Sequence, residues 1–121
     1  MPIGQLLGLS RLAKPLTSEQ GRKILERDLY RCQYCGLDGM ASFENSLVMT
    51  VDFVQPRARK GRKVPANLVA ACRPCNLIKG HRVFQNIEQA RAYVLEKREV
   101  LRKEWEDRMA HLRTKEAAAS L

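Results

Sequence analysis

The chain contains four cysteines in two pairs of identical spacing, Cys32 with Cys35 and Cys72 with Cys75. Two C-x-x-C pairs let four thiolates converge on one tetrahedral Zn2+ at about 2.3 Å, each pair forming a knuckle whose backbone amides donate to sulfur. Disulfides belong to oxidising compartments. The N-terminal "MPIGQLLGLSRLAKPL" has neither a cationic region ahead of its apolar stretches nor a small-residue cleavage site, so a cytoplasmic protein is expected. A redox C-x-x-C comes singly and in a βαβ context, which this pattern lacks. We therefore expect a structural zinc closed by four sulfurs. Such a site leaves no open position for catalysis, so any chemistry must lie elsewhere.

The charge pattern says where to look. The chain of 121 residues carries a net charge of +9, and residues 53–87 hold eight basic side chains and no acidic one. Arg57, Arg59, Lys60, Arg62 and Lys63 crowd into one loop, followed by Arg73, Lys79 and Arg82. A polyanion is the natural partner of such a segment, and nucleic acid is the commonest. With 45% hydrophobic and 29% charged residues, the composition suits a globular chain rather than a disordered one. No apolar run approaches the roughly 18 residues of a membrane span.

These groups must be held by a small α+β framework. Thr17, with Gln20 three residues later, reads as a capping box opening a helix to about Tyr30, with Ile24, Leu25 and Leu29 facing a core. Residues 47–54, "LVMTVDFV", read as a strand, and "NLVAAC" as its antiparallel return. In the first strand, period-two alternation puts Leu47, Met49, Val51 and Phe53 on one face and Asp52 on the other. The stretch "RPCNLIKG" reads as a short helix stopped by Gly80. Asn86, with Gln89 at the box position, opens a long helix from Ile87 to about Arg113. Its stripe of Ala90, Val94, Leu101, Trp105, Met109 and Leu112 would run for roughly 40 Å, more than so small a domain can cover. A homodimer through this helix and a single helix packed on its own domain are both open.

In order, "YRCQYCG", "VDFVQPRARKG" and "NLVAACRPCNLIKG" resemble the HNH endonucleases, in their zinc-bound ββα-metal (His-Me finger) branch. The resemblance covers roughly residues 22–82. It implies an HNH-like domain over 17–86, an N-terminal arm over 1–16, and a C-terminal amphipathic helix and tail over 87–121. In that family an Asp-His-x-x-Pro strand end sets a metal-binding acid beside the histidine that activates water. Asp52 and Pro56 match this pattern, but Phe53 stands where the general-base histidine is expected. Asn67 matches the middle asparagine, which braces the loop. Asn76 matches the last position, the second ligand, with Asp52, of a catalytic Mg2+ or Mn2+.

The resemblance thus implies a DNA endonuclease that hydrolyses phosphodiester bonds with one divalent metal. A positioned base contributes about 10²–10⁴ in rate, so substitution by a phenyl ring leaves a weakened or inactive enzyme. His81, just beyond the Asn76 helix, is expected more than a turn from the metal, exposed or touching DNA. The DNA contacts would be Arg57, Arg59, Lys60, Arg62, Lys63, Arg73, Lys79 and Arg82. The alternatives are a DNA-binding module of the same fold without chemistry, and a zinc-stabilised protein that dimerises through its last helix.

Overall fold

A computed structural model describes residues 16–120 of the chain, so the arm expected over 1–16 lies, apart from Leu16, outside the described residues. The first helix, α1 (Ser18–Arg27), opens with the capping box its sequence predicts. Thr17 Oγ1 accepts from the Gln20 amide at 3.1 Å, and Gln20 Oε1 accepts from the Thr17 amide at 3.0 Å. The helix ends before Tyr30 because Leu29 and Tyr30 enter the left-handed region, with φ of 55° and 54°. That turn swings Leu29 into solvent, whereas Ile24 is buried as expected.

A five-residue helix, α2 (Phe43–Leu47), follows the first cysteine knuckle, capped by Ser42 Oγ, which accepts from the Asn45 amide at 3.0 Å. It takes Leu47 out of the expected strand and leaves it exposed. The strands β1 (Met49–Phe53) and β2 (Leu68–Cys72) pair antiparallel, with Met49 opposite Cys72 and Phe53 opposite Leu68. The outer edge of β2 is closed at Ala70. Its amide donates to Asp28 Oδ2 at 2.8 Å, and its carbonyl accepts from the Gln33 amide at 2.9 Å. An edge so covered offers no template for another strand.

Cys72 leads directly into α3 (Arg73–Lys79), where Pro74 in the first turn needs no donor and Gly80, at φ 61°, ends the helix. The last helix, α4 (Ile87–Ala119), runs further than its sequence pattern predicts, about 50 Å at 1.5 Å per residue. Asn86 Oδ1 caps it by accepting from the Gln89 amide at 2.9 Å, while Gln89 Oε1 reaches the Gln85 amide at 3.1 Å instead of closing the box on Asn86.

Two clusters make the core. Cys32, Tyr34, Ala71, Cys72, Cys75, Ala90 and Val94 pack where α4 crosses the cysteines, while Ile24, Phe53 and Leu68 join α1 to the hairpin. Of the apolar stripe of α4, Ala90 and Val94 are buried, whereas Leu101, Trp105 and Leu112 are each about half exposed. Among the described residues no helix is long and apolar enough to cross a membrane.

Candidate functional site

The cysteines come from four places that only the fold brings together: the two sides of the first knuckle, the end of β2 and the first turn of α3. Their sulfurs all lie within 4.8 Å of one another. Cys35 Sγ and Cys72 Sγ are 3.7 Å apart, too far for a disulfide and close to the ~3.8 Å edge of a tetrahedron with 2.3 Å metal–sulfur bonds. The Cys35 amide donates to Cys32 Sγ at 3.4 Å, as a zinc knuckle requires, and Arg98 of α4 donates to Cys75 Sγ at 3.6 Å.

Hydrogen bonds from the Cys72 and Cys75 thiols hold Cys32 well below the usual thiol range. Cys72 is pushed up to about 11 by its bond to Cys32, and Cys75 is raised by Cys32 and Cys72. Protons thus remain where sulfurs crowd, and a soft divalent cation is what lets all four ionise together. The donor set is compatible with a structural zinc held by Cys32, Cys35, Cys72 and Cys75.

A cleft lies on the other side of the hairpin, between α1, the turn after β1 and α3. Asp52, Phe53, Arg57, Asn76 and His81 all line it. Phe53 is 9% exposed, packed on Ile24 and Leu68, with the Arg57 guanidinium 5.9 Å from its ring centre. Arg57 and Arg59 belong to a short 3-10 turn (Arg57–Arg59), and Lys60 takes the left-handed conformation after it. Asn67 ties the two ends of this basic loop: Oδ1 accepts from the Gln55 amide at 2.8 Å, while Nδ2 donates to Gln55 O at 3.1 Å and Arg62 O at 2.8 Å. Gly61 sits so close that a Cβ there would come within 1.6 Å of Gln55 O, which only glycine allows.

Arg59, Lys60, Arg62, Arg73 and Arg82 are exposed, while Arg57 and Lys63 are half-buried. Arg82 lies over the Tyr93 ring at 4.9 Å. Lys79 departs from its expected place on the DNA side, because it is fully buried. Its Nζ donates to Phe53 O at 3.0 Å and stands 3.3 Å from Asp52 Oδ2. The same Oδ2 accepts the Tyr34 hydroxyl at 2.5 Å.

Burial pushes the Asp52 carboxyl up, opposed by the Lys79 charge and the Tyr34 hydrogen bond. Tyr34 is itself raised, first by burial and then by the Asp52 charge, so it stays a protonated donor. Sequence reasoning missed both partners. A lysine in a basic segment reads as solvated. The one available hint was a pair of groups, a tyrosine inside a buried knuckle and an aspartate inside an apolar strand, that each need a polar partner.

This arrangement tests the divalent metal that the family resemblance implies. Among the described residues no buried side-chain nitrogen or oxygen lacks a partner, and the one group of three or more His, Cys, Asp or Glu donors is the four cysteines. A hard dication on Asp52 would share its carboxylate with an ammonium of like sign. As placed, Asp52 gives one carboxylate oxygen, Oδ2, to Tyr34 and Lys79, which leaves its Oδ1 and the Asn76 side-chain oxygen as the oxygens these two residues could turn to Mg2+ or Mn2+.

The class of the domain follows. Residues 32–82 match the family model described as HNH endonuclease. Its two-stranded sheet, flanking helices and clustered cysteines agree with the small ββα-metal architecture of that family. No curated protein and no solved structure matched the chain.

Proposed function

We propose that this is an HNH-type DNA-binding domain, of nuclease lineage, whose phosphodiester hydrolysis is weak or absent as the chain stands. One observation carries the reading: beside Asp52, where the family pattern calls for the general base, Phe53 is buried against Ile24 and Leu68. A phenyl ring packed into the core takes no proton from water. The basic loop next to it keeps its exposed arginines and lysines. Those side chains would hold flanking phosphates, which positions DNA without reading its sequence.

Binding should therefore weaken with salt, with a log–log slope near −0.9 for each phosphate neutralised. Fluorescence anisotropy with a duplex oligonucleotide measures this. We expect a steep slope that flattens by about one to two when Arg59 and Lys60 are both replaced by glutamine. Binding that does not change with salt would remove the reading.

The exposed stripe of Leu101, Trp105 and Leu112 favours a second reading for α4, a homodimer contact. Light scattering should then give twice the chain mass, and Trp105→Glu should return it to one. A monomeric mass for the unaltered chain would reject this reading.

A further inference from the structure

We propose that Lys79 is the resident cation of this cleft: its ammonium takes up the Asp52 carboxylate in place of a divalent ion. Asp52, Tyr34 and Lys79 then form a structural network, and the domain binds nucleic acid without a catalytic metal. The inference rests on the HNH reading of Asp52, and Lys79 itself lies in the stretch that carries the family resemblance.

The argument is one of occupancy. Lys79 is completely buried on α3, and its ammonium makes two contacts, both to the end of β1. One is to the Phe53 carbonyl and the other to Asp52 Oδ2. A buried ammonium is tolerated only when paired and hydrogen-bonded, so these contacts are a condition of the fold. The Tyr34 hydroxyl takes the same oxygen from the zinc-knuckle side. One oxygen of the carboxylate, Oδ2, is thus clamped between the two cysteine pairs' elements, the knuckle through Tyr34 and α3 through Lys79. Asn76, three residues before Lys79, lines the cleft, but no hydrogen bond joins its side chain to Asp52.

Mn2+ is the probe, because its paramagnetism reports binding without turnover. The zinc-loaded full chain is titrated with Mn2+ and followed by electron paramagnetic resonance, beside Asn76→Ala, a half-buried position whose side chain supports no other group. We expect no stoichiometric Mn2+ site in either. A Mn2+ site in the unaltered chain that Asn76→Ala or Asp52→Asn weakens tenfold or more would overturn the proposal.

A second measurement asks whether Lys79 is what excludes the ion. In Lys79→Met, Mn2+ should raise the melting temperature, an effect absent from the unaltered chain and from the double variant with Asp52→Asn. Stabilisation of the unaltered chain to the same degree would again contradict the proposal. If Lys79→Met does not fold, the comparison with Asn76→Ala decides alone. Loss of salt-dependent DNA binding is a separate result: it would strike the nucleic-acid reading and leave the occupancy of Asp52 by Lys79 as measured.

Discussion

Lys79 and Asp52 show how far a single side chain's environment departs from its type. Removing one partner of a buried ion pair strands the other, at a cost of about 3–5 kcal/mol. Lys79→Met should therefore lower the unfolding free energy by about that much in urea. The double change Asp52→Leu with Lys79→Met should cost less than the sum of the two single changes, because no unpaired charge is left behind, although the Tyr34 hydroxyl loses its acceptor. An equal or larger loss in the double variant would show that the pair is not coupled.

Asn67 offers a second residue-scale test. Its side chain makes three hydrogen bonds across the basic loop, each contributing about 1 kcal/mol, so Asn67→Ala should destabilise by about 2–3 kcal/mol in the same urea titration. The four-cysteine cluster was legible in the sequence because the two C-x-x-C pairs have the spacing of a tetrahedral site. Asn67 stood out only through the family pattern. Lys79 was not, because nothing local distinguishes a lysine that turns inward from seven basic neighbours that do not.

At the scale of elements, the four cysteines join pieces that otherwise share little surface. The knuckle after α1, the end of β2 and the start of α3 meet at the sulfurs, and Arg98 brings the root of α4 to the same point. Zinc removal should therefore abolish the cooperative thermal transition of the domain, since binding free energy at such a site is folding free energy. Part of the far-ultraviolet helix signal should persist, because the outer turns of α4 do not depend on the core. A chelator-treated chain that still melts cooperatively at an unchanged temperature would contradict this.

Capping residues made both long helices readable: Thr17 with Gln20, and Asn86 with Gln89. The boundaries that the sequence missed have physical causes. The first helix stops early because Leu29 and Tyr30 turn left-handed to deliver Cys32, and the first strand begins two residues late because the short helix capped by Ser42 takes in Leu47.

The whole molecule divides into a compact basic unit and a helix that outruns it. Beyond Trp105, the side chains of α4 are almost all exposed. Truncation after residue 107 should thus leave zinc content and melting temperature unchanged, and any change in mass by light scattering would then report on α4 as a contact between copies. The positive charge collects on the unit that holds the cleft, so DNA affinity should survive the same truncation.

The most direct test of the proposed silencing is plasmid nicking. Zinc-loaded protein is incubated with supercoiled DNA in Mn2+, and the chain as it stands is compared with Phe53→His and Asp52→Asn. On the proposed reading, with Phe53 at the general-base position and the Lys79 ammonium on Asp52, all three should nick no faster than buffer. Nicking by the unaltered chain that Asp52→Asn abolishes would contradict the silenced reading outright. Nicking gained by Phe53→His alone would show a metal site intact at Asp52, and would contradict the role given to Lys79.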